Sequence, residues 1–179
     1  MSNRKGAAGT HVFYAFLKFR NNILADEKDK KQFLDFALES QEEYGICILA
    51  FVVLDSEMHF LVQETKTRKR GLAVRKMLKG FEKFQDRKEQ AYTDCSNTES
   101  SCREILSMEE IKQVCRMIHR IPLKKGFVTR IRDYWWSSYQ TYRGGYRWKG
   151  LDTTVLFDCF SEDSEKNRRM FLEYHRGES

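Results

Sequence analysis

Two side chains able to share a cation stand two residues apart in Glu57-Met58-His59. Alternate residues of a strand point to one face, so this spacing offers a carboxylate and an imidazole to the same side. Such a pair can hold one divalent cation; a hydrogen-bonded surface pair is the other reading the same residues allow. A second kind of chemistry is written in charge. Between positions 66 and 88 stand ten basic residues, Lys66, Arg68, Lys69, Arg70, Arg75, Lys76, Lys79, Lys83, Arg87 and Lys88, against the acids Glu82 and Asp86. Spacings of three and four put Lys76, Lys79 and Lys83 on one helix face, where they either track phosphates or form a solvated surface; solubility is usually met by mixed signs, so the imbalance brings the phosphate reading level with the other.

The segment 116–149 is richer. Arg116, His119, Arg120, Lys124, Lys125, Arg130, Arg132, Arg143, Arg147 and Lys149 alternate there with Tyr134, Trp135, Trp136, Tyr139, Tyr142, Tyr146 and Trp148. Aromatic faces that stack on unpaired bases, beside cations that hold the backbone, are the equipment of single-strand binders. Trp136 and Tyr139 are the expected stacking residues, with one tryptophan of the 135–136 pair filling the edge of the core.

The elements that must position these groups follow from periodicity. HVFYAFLKF at 11–19 is dense in aromatic and β-branched residues, as in a strand. An amphipathic helix is predicted over 28–44, with Gly45 as its stop. The apolar run 46–54 reads as a central strand, 55–57 as a turn and 58–63 as the returning strand of a hairpin. A second helix is predicted over 71–88, with Leu72, Val74, Met77, Leu78, Phe81 and Phe84 toward the core. Irregular chain is expected over 91–101, and a third helix over 108–119, opened by the capping-box pair Ser107 and Glu110. A turn at 122–126 and helical segments at 153–160 and 162–174 complete the chain. The fold class is α+β, a ferredoxin-like antiparallel sheet of βαββα type with helices on one face. Domain organisation is read as a flexible tail at 1–10, one domain over 11–150 and a helical appendage over 151–179 whose apolar residues pack it on the body.

Bulk properties bound the function. The 179 residues carry 32 Lys+Arg against 26 Asp+Glu, a net charge of +6, which points to a polyanionic partner. Five cysteines without a CxxC pair read as reduced thiols and a cytoplasmic setting. The longest apolar run, nine residues at 46–54, is far below the roughly 18–20 that span a bilayer.

Four stretches, His11-Val12, VVLDSEMHFLV, IHRIPLKKGFV and DYWWSSYQTY, resemble those of the REP-associated tyrosine transposases, a single-tyrosine branch of the HUH nucleases, with Trp136-Ser137-Ser138-Tyr139 as the strongest match. The resemblance spans nearly the whole chain. It implies a site in which two histidines and a polar group one helical turn beyond a tyrosine hold a divalent metal, and the tyrosine attacks the scissile phosphate. Carried across, the first histidine becomes Glu57, the second is kept as His59, the tyrosine falls on Met117 and the metal-side asparagine on Ile121, while His119 and Pro122 keep their places. Glu57 still suits Mg2+ or Mn2+; a thioether at 117 cannot replace a phenol. Tyr92, Tyr134, Tyr139 and Tyr142 would each need a large rearrangement to reach His59. The resemblance therefore implies a DNA-binding protein for hairpin or single-stranded DNA with its cutting step lost. The alternative it leaves open is a divergent metal-dependent transposase or DNA endonuclease using Glu57 and His59 with a replacement nucleophile. Monomer and homodimer are both compatible with it.

Overall fold

The structure, a computed structural model, describes residues 11–19, 21–65, 71–89, 99–161 and 163–176. The tail at 1–10, Lys66, Arg68, Lys69, Arg70, Tyr92 and the side chains of Phe84, Arg87 and Lys88 lie outside the described residues.

Strands β1 (Val12–Lys18), β2 (Ile46–Val53), β3 (Glu57–Glu64) and β4 (Glu99–Ile105) form one antiparallel sheet in the order β2-β3-β1-β4. Helices α1 (Glu27–Glu39) and α2 (Gln41–Tyr44) connect β1 to β2, and α3 (Leu72–Glu89) connects β3 to β4. After the sheet come α4 (Met108–Lys124), α5 (Tyr139–Tyr142), α6 (Thr154–Asp158) and α7 (Ser164–Arg176). The α+β class expected from periodicity is the class observed.

Four local expectations are corrected. The irregular chain expected up to residue 101 already belongs to β4 from Glu99 onward, which pairs along β1 from Glu99 opposite Lys18 to Ile105 opposite Val12. Of its seven side chains only Ile105 is buried, so no apolar alternation marks it. The helix expected over 28–44 is two helices, because the Ser40 hydroxyl donates to the Phe36 carbonyl at 2.7 Å and competes with the backbone ladder. Gly45, at φ 69°, stops α2 as anticipated. The third helix does not end before Pro122 but runs through it to Lys124, since a proline already holding helical φ forfeits a single backbone bond.

The fourth correction concerns the sheet faces. Phe60 meets Phe81 of α3 at 5.6 Å, and Phe81 meets Phe33 and Phe36 of α1 at 4.9 and 5.8 Å. His59, one residue away in β3, points to the opposite face, where α4 lies across β2 and β3. Helices thus cover both faces instead of one, which is why β2 and β3 are buried along almost their whole length.

Two devices satisfy polar groups at the start of α3 and along the β2 edge of the sheet. Glu64, at the end of β3 and buried, accepts from the backbone N–H groups of Gly71 (3.1 Å), Ala73 (2.8 Å) and Val74 (3.4 Å), capping α3 from another element. Glu64→Ala strands these donors and is expected to lower stability by about 2 kcal/mol, the upper range for a lost cap. A urea midpoint that stays put would refute the capping role. The outer edge of β2 is covered by 136–138: Val53 N–H donates to the Trp136 carbonyl at 2.9 Å and Ser138 N–H to the Phe51 carbonyl at 3.0 Å. A register irregularity between Ile48 and Ala50 leaves the Leu49 carbonyl to the buried Tyr142 hydroxyl, which donates to it at 2.6 Å. The Trp-Ser-Ser-Tyr motif is therefore part of the scaffold, protecting an edge strand from further pairing.

Candidate nucleic-acid interface

Strand register places three polar side chains together beneath α4. Phe16 of β1 lies opposite His59, so Tyr14 sits on the same face as its diagonal neighbour, and its hydroxyl is 2.6 Å from His59 Nδ1. On the other side of the ring, His59 Nε2 is 3.1 Å from Glu57 Oε1. A carboxylate only accepts, so Nε2 carries the proton and Nδ1 accepts from the phenol. The same Glu57 oxygen receives the Lys125 ammonium at 2.7 Å. Burial would raise the Glu57 carboxyl, but the hydrogen bonds from Lys125 and His59 outweigh it and hold its pKa below the ordinary value. Burial keeps the His59 imidazole below its ordinary value in spite of Glu57. Burial, then the Glu57 charge, raises the Tyr14 phenol. The cluster is thus a neutral imidazole held between a phenol and an ionised carboxylate.

Glu57 and His59 converge as expected, but the arrangement does not fit a divalent ion. It supplies two protein donors, and the bonding oxygen of Glu57 already carries an ammonium group. Met117 and Ile121 of α4 and its C-cap residue Lys125 follow one another at intervals of four along one stripe; Met117 is half-buried against the core and Ile121 is buried. A thioether, an alkyl group and a cation therefore occupy the stripe that runs toward Glu57. Tyr14 was not among the tyrosines singled out from sequence. Its signal was available only through pairing: a phenol on the strand opposite the histidine, two residues off register.

The cations fall on two surfaces. Arg75, Lys76, Lys79 and Lys83 are exposed on α3, over the sheet face opposite His59. Arg120, Arg130, Arg132, Arg143 and Arg176 line an open cleft of about 480 Å³ on the α4 side, together with Tyr139 and His175, and no carboxylate is among its described lining residues. Asp133 tethers Arg130 at 2.6 Å and lies 4.0 Å from Arg132; Arg143 donates to the Gln140 amide oxygen at 3.0 Å. Lys124 is exposed at the end of α4, and Lys125 is engaged with Glu57. The aromatic residues expected to stack on bases are placed otherwise. Trp136 is 8% exposed and Tyr139 5%, their rings packed against Trp148 and Phe171, so neither offers an open face. Trp135, 47% exposed, and Tyr146, 43% exposed, lie 4.9 Å apart and are the accessible pair.

Behind the cleft wall runs a buried relay. His175 Nδ1 donates to the Phe171 carbonyl at 2.9 Å, His119 Nδ1 lies 3.0 Å from His175 Nε2, and the Ser138 hydroxyl lies 2.7 Å from His119 Nε2. Burial depresses both imidazoles, His119 well below its ordinary value and His175 to about 4. Cys115 Sγ stands 3.7 Å from His119 Nδ1. Among the described residues these three, and not Glu57 with His59, form a group of converging metal donors.

No helix among the described residues is long and apolar enough to cross a membrane. No protein-family model matches the sequence, and no curated protein is similar to it. Among solved structures, a protein of Deinococcus radiodurans R1 assigned as a transposase aligns over 67% of this chain and 97% of its own at 17% identity, with a TM-score of 0.41. A REP-associated tyrosine transposase bound to a REP hairpin aligns over 86% of this chain and 94% of its own, with 22% identity and a TM-score of 0.55. The chain shares its fold with that transposase.

Proposed function

We propose that the chain is a DNA-binding protein of transposase descent that engages hairpin or single-stranded DNA without cutting it. The observation that carries this reading is the cleft in which five arginines from α4, the 130–143 segment and α7 converge, with no carboxylate among its described lining residues. Guanidinium forks hold phosphates in a planar, bidentate way. If each of the five neutralises one phosphate of a single strand, log K falls with log salt with a slope of about −3.5. The absence of cutting rests on chemistry: Met117 has no oxygen to attack phosphorus, and Lys125 stands on the carboxylate that a metal would need. The test is a gel-shift titration of hairpin, single-stranded and duplex DNA over a range of salt, paired with a denaturing gel of end-labelled hairpin incubated with Mg2+ or Mn2+. Salt-sensitive binding without nicking is expected; a metal-dependent covalent adduct would overturn the non-cutting reading.

One observation favours a second reading. Tyr14, His59 and Glu57 stand in the order nucleophile, base and orienting carboxylate, at 2.6 and 3.1 Å. In a metal-free cleavage His59 Nδ1 would take the phenol proton as the Tyr14 oxygen bonds to phosphorus, and the 3′ oxygen would leave. The raised phenol and lowered imidazole oppose that transfer at rest, which places this reading second. It predicts a DNA adduct formed without divalent metal and absent in Tyr14→Phe and His59→Gln; no adduct from the unaltered protein would dispose of it.

A further inference from the structure

Cys115 and His119 lie one turn apart on α4, on one face of the helix, and His175 reaches them from α7, 56 residues further along the chain. All three are buried, and their ligand atoms lie within 4.8 Å of one another. Bond lengths of about 2.0–2.1 Å to nitrogen and 2.3 Å to sulfur at tetrahedral angles require roughly 3.3 Å between two nitrogen donors and 3.6 Å between nitrogen and sulfur. The separations here are 3.0 Å between His119 Nδ1 and His175 Nε2, and 3.7 Å between His119 Nδ1 and Cys115 Sγ. An ion would be accommodated by shifts of a few tenths of an ångström along these two edges, with Cys115 drawn toward His175 along the third.

The surroundings of the cluster match those of a ligating set. A metal-bound histidine characteristically donates its second N–H to a carbonyl or similar acceptor, and His175 Nδ1 already does so to Phe171 at 2.9 Å. His119 can do the same: with the proton moved to Nε2 it donates to Ser138 Oγ at 2.7 Å, and the Ser138 hydroxyl turns to the Phe51 carbonyl at 3.2 Å. That single tautomer change frees the His119 Nδ1 lone pair. In the metal-free relay the same pair of atoms makes a hydrogen bond instead, so the two states exclude each other while both leave every polar atom of the relay bonded.

We propose that Cys115, His119 and His175 bind one transition-metal ion of borderline softness, Zn2+, which locks α7 onto α4. One thiolate and two imidazoles select such an ion over Mg2+ or Ca2+. Arg116 and Arg120 act on His175 from α4 and oppose a doubly charged ion, so the thiolate is the donor the site can least spare. Its effect would reach the arginine cleft, because His175 and Arg176 both line that cleft.

The experiment uses the full chain. Elemental analysis of protein produced with zinc in the medium is expected to find about one zinc per chain, as a preformed buried site retains its metal. After chelation, Co2+ titration is expected to give the intense visible bands of tetrahedral cobalt and a near-ultraviolet thiolate-to-cobalt transition. Cys115→Ser and His175→Gln should lose these signals, and Cys102→Ser, which alters a thiol on the edge strand β4, should keep them. Circular dichroism identifies variants that keep the fold; should none of the ligand variants do so, the wild-type cobalt spectrum decides alone, because only a thiolate ligand yields that transition. Wild-type protein without zinc and without the thiolate transition overturns the proposal, as does undiminished binding by folded Cys115→Ser and His175→Gln.

Discussion

Reversing the charges of Arg132 and Arg143 together is expected to weaken binding to hairpin DNA about a hundredfold or more and to reduce the salt slope by about two. Both side chains are exposed on the cleft rim. Arg143 donates to the amide oxygen of the buried Gln140, and Arg132 lies at the outer limit of an ion pair with Asp133. The Arg132 change should leave stability nearly unchanged, because exposed ion pairs contribute little, and the Arg143 change should cost about 1 kcal/mol for the lost bond to Gln140. The matched control is Lys76→Glu with Lys79→Glu on α3, which covers the opposite sheet face. Equal losses from both pairs would mean that the charge of the whole molecule, and not the cleft, draws the nucleic acid. A loss confined to the α3 pair would move the interface to the other face.

Phe171→Ala is the most damaging single truncation anticipated for the C-terminal segment. Phe171 is fully buried; its ring stacks on Tyr142 with centroids 4.8 Å apart, lies 4.0 Å from the His175 ring, and meets Phe157 and Phe160 edge-on at 5.8 and 5.4 Å. Removing a buried phenyl group costs about 3–5 kcal/mol through lost transfer energy and the cavity left behind. Because this ring joins α5, α6 and α7, the substitution should also release Arg176 from the cleft and weaken DNA binding at temperatures where the rest of the protein remains folded. Chemical denaturation and gel-shift titration of the same preparation check both effects. A loss below about 1 kcal/mol would show that the cavity collapses without cost and that α7 is held by other contacts.

Some of the polar residues that converge in the structure, Glu57 and His59 among them, could be picked out in the chain, while their company could not. Apolar periodicity placed β1, β2, β3 and α3 within a residue or two of their positions and announced an α+β domain, because burial of one face leaves a repeat of two or of about 3.6 in any sequence. The capping pair of Ser107 and Glu110 and the glycine stop at Gly45 were legible because both are local devices. Strand β4 left no such trace, since an edge strand facing solvent needs backbone partners more than apolar side chains. Which of two adjacent tryptophans is buried was decided by the way 136–138 hydrogen-bonds along the edge of β2, a contact spanning more than eighty residues. Tyr14 meets His59 only because β1 and β3 pair in one register, and a shift of one residue would have turned it to the far face. The sequence by itself determined the elements and the net charge. Tertiary structure decided that Lys125 neutralises Glu57, that five arginines from separate segments share one cleft, and that His175 joins Cys115 and His119. Local pattern reports which face of an element is buried, whereas the identity of the group packed against that face depends on register and docking between distant parts of the chain.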